Sequence, residues 1–261
     1  MDEPFAPSAG EKNAVRRDKN ASGRTSGSRE AGAAVPDGLA ALIGGIAGAA
    51  LLIFGILAIV CFLAESSEVM TREITRFAPP ETTGLSADLY PEMGQHIAAF
   101  LRGEKASFQY TLPAGEGLVR PLFHDYELRH MADCRGLIAL AERVRSAAGT
   151  LAAICLLALF FLKGARRHAF ARSGLRVLRA LCGLAAGLAL WAVFDFDSFF
   201  TTFHRLAFTN DLWLLNPRTD LLIRLMPESL FIDLGLWGLG AAGCWLLVLS
   251  ASFRLLRRQA K

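Results

Sequence analysis

Four long apolar runs, separated by polar segments, organise the sequence. They occupy residues 37–64, 146–163, 175–195 and 230–253, and the first run contains no charged side chain after Asp37. An α-helix rises about 1.5 Å per residue, so about 20 apolar residues cross a hydrocarbon core about 30 Å thick. The second run is short, but the helical pattern before it adds length outside the bilayer. The pattern therefore predicts four transmembrane helices.

The composition agrees with a membrane protein. Hydrophobic types make up 53% of the 261 residues and charged types 20%, whereas soluble domains have roughly 45–50% and 25%. These values exclude an ordinary soluble enzyme and a chain that is disordered throughout. Four of the five cysteines lie inside apolar runs and no C-x-x-C pair occurs, so neither a disulfide framework nor a zinc or redox motif is predicted.

The distribution of charge predicts the orientation in the membrane. Basic residues are abundant in residues 1–36, 164–174 and 254–261, whereas acidic residues outnumber basic ones in residues 65–145 and 196–229. Cytoplasmic loops carry the excess of Lys and Arg, so both termini are predicted to be cytoplasmic. The first run is longer than the roughly 7–15 apolar residues of a cleaved signal peptide. It is therefore predicted to be an uncleaved anchor that follows a disordered basic cytoplasmic tail.

The first outer segment, residues 65–145, is predicted to form a small extracytoplasmic cap. A helix is predicted over residues 91–102, because proline is favoured in the first turn of a helix. Residues 108–123 contain the turn sequence Pro113-Ala114-Gly115-Glu116, which predicts a β-hairpin. A longer helix is predicted to begin at Asp125 and to continue into the second span. The predicted fold class is an all-α membrane protein, a four-transmembrane-helix bundle with a small extracytoplasmic α/β cap.

The second outer segment, residues 196–229, combines aromatic with ionisable side chains. Its phenylalanines and Trp213 are typical of the interfacial aromatic belt. Ionisable groups near the membrane are unfavourable unless they are paired or face water, so their concentration here indicates a functional site. The residues that an aromatic belt does not explain are Asp195, Asp197, His204, Asn210, Asp211 and Asp220.

His204 and His130 are the strongest candidates for chemistry. His204 lies seven residues after Asp197 and seven before Asp211, a spacing of nearly two helical turns that places all three on one face if the segment is helical. The alternative interpretation is an interfacial histidine in the aromatic belt. Because both outer segments lead into spans of one bundle, His204 and His130 are predicted to meet at the outer leaflet.

His130 lies three residues from an acid on either side, Glu127 and Asp133. On a helix these residues share a face, and a carboxylate beside an imidazole orients the ring and raises its basicity. The alternative interpretation is a solvated, charged face of a juxtamembrane helix. His96, His124 and His168 stand in patterns more typical of structural or solvated positions.

Motifs for metal, nucleotide and serine chemistry do not occur in the sequence. The histidines lack the H-E-x-x-H spacing, and neither G-x-S-x-G nor a glycine-rich phosphate loop is present. We therefore predict no metal, no cofactor and no nucleic-acid partner.

Two longer signatures surround the two histidines. In residues 123–135 an acid, His-Met and Asp follow one another as Glu127, His130-Met131 and Asp133. The second and more specific signature consists of Phe203-His204, Phe208, Asn210-Asp211, Trp213, Pro217, Asp220, Leu222-Ile223, Pro227-Glu228 and Phe231. Over about residues 38–255 the chain thereby resembles the bacterial lipoprotein intramolecular transacylase family of four-span membrane proteins. At Cys134 and Arg135 the family more often has Val and Lys, and the first 35 residues resemble an addition.

The resemblance implies an acyltransferase reaction. The substrate is a lipoprotein with an N-terminal S-diacylglyceryl cysteine, and the acyl chain on the glycerol sn-2 oxygen moves to the cysteine α-amine. The product is the N-acyl, S-monoacylglyceryl lyso-form. No covalent acyl-enzyme is needed, because amine and ester lie on one molecule. Implied partners are the lipoprotein and membrane lipid, and the implied location is the bacterial cytoplasmic membrane with the active site on the extracytoplasmic side.

On this hypothesis His204 acts as general base and acid, oriented by Asp197 or Asp211. His130, held by Glu127 or Asp133, hydrogen-bonds the ester oxygen or the developing oxyanion, and the two histidines can exchange these roles. Other residues that orient the histidines or bind the substrate are Asn210, Trp213 and Asp220. Two alternatives stay open: another membrane lipid acyl hydrolase or acyltransferase, and a non-catalytic membrane scaffold or metal sensor.

Overall fold

The computed structural model describes residue 1 and residues 36–115 and 118–259. Nine α-helices and two strands occur in these ranges: α1 Asp37–Glu65, α2 Ser67–Phe77, α3 Pro80–Thr83, α4 Tyr90–Leu101, β1 Thr111–Gly115, β2 Leu118–Pro121, α5 Asp125–Leu159, α6 Ala165–Phe194, α7 Phe196–Ala207, α8 Leu221–Leu225 and α9 Glu228–Gln259. A short 3₁₀ helix, Ala87–Leu89, precedes α4. The predicted disordered tail, residues 1–36, lies almost wholly outside the described residues.

Three helices of the described chain are long and apolar enough to cross a membrane, namely α1, α6 and α9. The prediction of a membrane protein is thereby confirmed. The second predicted span, residues 146–163, corresponds to the last part of α5, and Glu142, Arg143 and Arg145 lie directly before it, so the apolar part of this helix is short. The crossing of the membrane by α5 therefore stays a prediction.

Helix α1 is the central membrane helix and packs against α5, α6 and α9. Its contact with α6 depends on glycine, because the backbone of Gly44 lies directly against the carbonyl group of Phe170. One turn further on, a Cβ at Gly48 would lie 2.8 Å from the carbonyl oxygen of Gly174. Small residues four apart allow such close approach of membrane helices.

We expect Gly44→Ala to destabilise the protein, because the new methyl group would overlap Phe170 backbone atoms that cannot rotate away. Overpacking of this kind typically costs about 1–3 kcal/mol. The matched control is Gly183→Ala on α6, where nothing lies within 4 Å of the added methyl group. Thermal unfolding of the purified variants in detergent measures both effects. An unchanged melting temperature for Gly44→Ala would contradict this account of the α1–α6 contact.

The outer part of the chain has its own hydrophobic core, which reaches the first turns of α5 and α9. Its members come from α2, α4, the hairpin region, α5, α8 and α9, and include Met70, Tyr90, Ile97, Phe108, Phe123, Met131, Leu222, Leu225 and Leu230. Met131 neighbours His130 in the chain, so this core supports the segment that carries the candidate site.

The two strands of the predicted hairpin are present and pair antiparallel, but the prediction that residues 113–115 form its turn is wrong. Pro113 pairs with Val119 in the ladder of β1 and β2, so residues 113–115 belong to a strand, and the predicted turn residue Glu116 lies outside the described residues. The predicted helix over residues 91–102 corresponds to α4, and α5 begins at Asp125 as predicted. The buried ring of His96 on α4 bonds the carbonyl oxygen of Phe108 through Nε2 at 2.8 Å and Lys105 through Nδ1 at 3.0 Å. His96 therefore holds the segment before the hairpin, residues 105–108, against α4.

Candidate active site

The start of α5 positions His130, and Glu127 anchors that start. One Glu127 carboxylate oxygen accepts the backbone N–H of His124 at 2.7 Å, and the other accepts the backbone N–H of Leu222 at 2.7 Å. The first bond caps α5, and the second joins α5 to α8 across 95 positions of sequence. Glu127 is completely buried. The expectation that Glu127 orients His130 is therefore wrong in this structure, because both of its oxygens bind backbone groups.

His204 lies in the last turn of α7 and is buried, with 7% of its surface exposed. Its Nδ1–H donates a hydrogen bond to the carbonyl oxygen of Phe200 at 2.7 Å. A carbonyl oxygen can only accept, so Nδ1 carries the ring proton and Nε2 of the neutral ring is free to accept one. Aromatic rings enclose the imidazole, with centroid distances of 4.0 Å to Phe200 and 5.0 Å to Trp213.

The structure brings His130 and His204 together, as the sequence predicted. Their ring centroids are 6.0 Å apart, and Phe208 packs against both, at 5.2 Å from His130 and 5.5 Å from His204. The Nε2 atom of His130 lies 3.6 Å from Sγ of Cys134. Within the described residues, the buried Nδ1 atom of His130 has no hydrogen-bond partner. A buried polar atom without a partner is unfavourable and indicates a position that a ligand completes.

Burial keeps both imidazoles neutral. Burial, and then the neighbouring His204, lower the pKa of His130 to about 4, and Asp133 opposes this shift only in part. Burial also lowers the pKa of His204 below its ordinary value, although the hydrogen bond to Phe200 acts in the opposite direction. Both rings are therefore uncharged at neutral pH and are available for proton transfer.

Of the remaining predicted residues, Asp133, Asn210 and Asp220 connect the chain segments around the site. Asn210 donates a hydrogen bond to Asp133 at 2.9 Å and so ties the loop after α7 to α5. Asp220 accepts bonds from the Tyr126 hydroxyl at 2.6 Å and from the backbone N–H of Asn216 at 2.8 Å. These contacts hold both ends of the 208–220 loop against α5.

Asp197 and Asp211 do not orient His204 in this structure. Helix α7 ends at Ala207 and Phe208 is extended, so Asp211 lies on a loop and the predicted helical spacing from His204 fails there. Both aspartates are exposed, and the Phe200 carbonyl fills the orienting role that was predicted for them. It is Asp195 that caps α7, because it accepts the backbone N–H of Ser198 at 3.1 Å.

Sequence reasoning missed Tyr126 and the Phe200 carbonyl. Tyr126 lies four residues before His130, so helical spacing alone could have placed it beside that histidine. The backbone carbonyl has no signal in the sequence. Among the residues that the structure describes, no three His, Cys, Asp or Glu side chains are grouped so as to hold a metal ion.

Comparison with known proteins identifies the family. The sequence profile described as "Lipoprotein intramolecular transacylase Lit" matches residues 46–231, which include both histidines. The chain belongs to this family of transacylases. Family membership confirms the resemblance seen in the sequence and makes the chain an acyltransferase. No curated protein sequence matches it.

Solved structures of the Lit transacylase from Bacillus cereus share the fold. One, described as membrane integral, has a TM-score of 0.68 and 17% sequence identity, over 86% of this chain and 98% of that one. A variant of the same protein, in which one histidine is replaced by arginine, has a TM-score of 0.59 and 17% identity, over 96% and 98% of the two chains. A second variant, with alanine at that histidine, has a TM-score of 0.59 and 18% identity, over 85% and 94%.

Proposed function

We propose that the chain transfers the sn-2 acyl chain of an S-diacylglyceryl cysteine to the α-amine of that cysteine, which gives a lyso-form lipoprotein. The observation that carries the proposal is the pair of buried imidazoles, 6.0 Å apart, in a chain of the transacylase family. The transfer exchanges an ester for a more stable amide, so that no energy source is required outside the cytoplasm. Amine and ester lie on one molecule, and holding them together supplies much of the rate enhancement.

The hydrogen bonds of the two rings support different roles. His204 has its proton on Nδ1, so its Nε2 accepts the proton that the attacking amine releases and then passes it to the departing glycerol oxygen. On His130, the Cys134 thiol lies against Nε2 and Nδ1 is unpaired. If the thiol donates its S–H to Nε2, Nδ1 carries a proton and donates to the carbonyl oxygen as negative charge develops there.

The proposal needs no covalent acyl-enzyme. Cys134 is the cysteine beside the histidine pair, and burial, together with the adjacent Asp133 carboxylate, raises the pKa of its thiol to about 12. The nucleophilic form of cysteine is the thiolate, which is scarce at neutral pH under these conditions. Direct attack by the substrate amine is therefore the simpler course.

The proposed topology places the site at the lipid headgroup level of the outer leaflet. Four spans at residues 37–64, 146–163, 175–195 and 230–253 would leave both termini in the cytoplasm of a bacterium and the cap, residues 65–145, outside. The basic residues of 164–174 and the exposed apolar side chains of α6 and α9 support this arrangement. Lipid tails of the substrate would then remain in the bilayer while its cysteine reaches the histidines.

The dependence of activity on pH follows from the neutral histidines. The substrate amine, with a pKa of about 7.7–8.0, must also be neutral. As the pH is lowered below that range, log(kcat/KM) is expected to fall by one unit for each pH unit. Because the pKa of His204 is lowered from its ordinary value of 6.5, the slope steepens to two only below pH 6.5. Initial rates on a synthetic diacylglyceryl lipopeptide give this profile, and a second break above pH 6.5 would contradict it.

A direct test is conversion of lipoproteins in living cells. The full chain is expressed in a bacterial host that lacks its own lipoprotein N-acyltransferase, and the lipoprotein N-termini are analysed by mass spectrometry. We expect N-acyl, S-monoacylglyceryl cysteine, and none with the double variant His130→Asn/His204→Asn. Loss of an acyl chain without N-acylation would indicate an acyl hydrolase. Unchanged diacylglyceryl cysteine would refute the proposed reaction and favour a non-catalytic role.

A further inference from the structure

A polar cleft lies at Tyr126, one turn of α5 from His130. It has a volume of about 380 Å³, within the range of roughly 300–1,000 Å³ that is typical of ligand sites. Tyr126 of α5 forms one wall, and the 208–220 loop forms the other with Asp211, Leu212, Leu214, Asn216 and Asp220. Most of these side chains are polar, which makes the cleft unsuitable for the acyl chains of a lipid substrate.

Each wall of the cleft contains residues that are near, along the chain, to a residue of the histidine site. Tyr126 precedes His130 by four residues on α5 and therefore lies on the same face of the helix, one turn nearer its start. Leu212 and Leu214 flank Trp213, whose ring centroid is 5.0 Å from that of His204. The cleft therefore begins within one helical turn of the site at which a substrate would react.

The walls are held in place by buried hydrogen bonds. The Tyr126 hydroxyl and the Thr219 hydroxyl each donate to Asp220 at 2.6 Å, and Asp220 is 2% exposed. The hydrogen bond to Asp220 raises the pKa of Tyr126 to about 12, so the hydroxyl stays protonated as a donor. The cleft is therefore present before any ligand binds.

The carboxylate of Asp211, unlike that of Asp220, is available to contact a ligand. It is exposed at the cleft, and among the described residues its side chain makes neither a hydrogen bond nor an ion pair. An unpaired carboxylate attracts a cationic group and repels an acidic one, with an energy that salt reduces.

We infer that this cleft binds the first residues of the lipoprotein polypeptide after the lipidated cysteine, and that Asp211 disfavours acidic residues there. The inference rests on the proposed function. The reacting amine and the peptide carbonyl belong to the same cysteine, so the chain must leave the histidine pair within one residue length, about 3.3–3.6 Å per extended residue. The lipid tails leave toward the bilayer, and the polar cleft is the neighbouring space that suits a peptide backbone.

The test compares two synthetic diacylglyceryl lipopeptides that differ only in charge, Cys-Ser-Lys-Lys and Cys-Ser-Glu-Glu, in neutral detergent micelles. We expect the full-length protein to show about a fivefold higher kcat/KM for the lysine peptide, a preference that shrinks as ionic strength rises. Asp211→Asn should bring the ratio near one, and Asp211→Lys should reverse it. Asp88→Asn, an exposed aspartate outside the cleft, is the matched control and should keep the preference.

The outcomes separate this inference from the proposed reaction. Equal conversion of both peptides by the unaltered protein, or a preference that survives in both Asp211 variants, would overturn the assignment of the cleft and leave the transacylase reaction standing. Failure to convert either peptide would refute the reaction, and the assignment of the cleft would fall with it.

Discussion

Replacing His204 with asparagine is expected to lower the rate of N-acylation by about 10²–10⁴-fold, the range typical for loss of a general acid–base group. Asparagine remains polar but cannot accept the amine proton and pass it on. Since the His204 ring is oriented through Nδ1 and leaves Nε2 free, the loss should appear in kcat rather than only in KM. Single-turnover conversion of a diacylglyceryl lipopeptide, followed by mass spectrometry, measures it.

Two substitutions serve as controls for this result. His168→Gln changes a histidine of the 164–174 segment and should leave the rate unchanged. Cys134→Val removes the thiol beside His130 and should lower the rate much less than His204→Asn, because the thiol only orients the His130 ring and the proposed mechanism has no covalent acyl-enzyme. N-acylation at the unaltered rate by His204→Asn would remove this histidine from the mechanism. Complete loss in Cys134→Val with the fold intact would indicate a covalent route.

The membrane helices could be predicted because their signal is local. The apolar run of residues 38–64 has no charge, and it corresponds to α1, which ends at Glu65 where the polar sequence begins. The start of α5 at Asp125 was also predictable from the sequence. Each of these boundaries depends on neighbouring residues alone, since helix ends follow local capping and hydrophobic pattern.

The pairing of His130 with His204 could be predicted, but the groups that hold them could not. The two segments lead into one bundle, so the meeting of the rings followed from topology. Contacts such as Asn210 with Asp133, 77 positions apart, and Leu222 with Glu127 depend on how the cap packs. The prediction that Asp211 shares a helix face with His204 was wrong, because it required α7 to continue beyond Ala207. A period of 3.6 residues predicts shared faces only within one unbroken helix.

Glu127→Ala is expected to lower the free energy of unfolding by about 1.5–5 kcal/mol. The buried backbone N–H of Leu222 loses its acceptor, at about 1–3 kcal/mol, and the part-buried N–H of His124 loses its helix-capping bond, at about 0.5–2 kcal/mol. Such a loss is a large share of the roughly 5–15 kcal/mol that stabilises a typical protein. Glu127→Gln keeps one acceptor oxygen, so its loss should be about half as large. Thermal or denaturant unfolding in detergent measures both.

The matched control and the activity of the folded variants decide what Glu127 does. The matched control is Glu142→Gln on the same helix. It removes only a part-exposed ion pair with Arg145, which should contribute less than about 1 kcal/mol to the free energy of unfolding. Because Glu127 joins α5 to α8, its substitution should reduce stability and activity together, and the pH profile of the remaining activity should keep its shape. A Glu127→Gln variant that unfolds like the unaltered protein yet has lost its activity would instead place this carboxylate in the chemistry, beside His130.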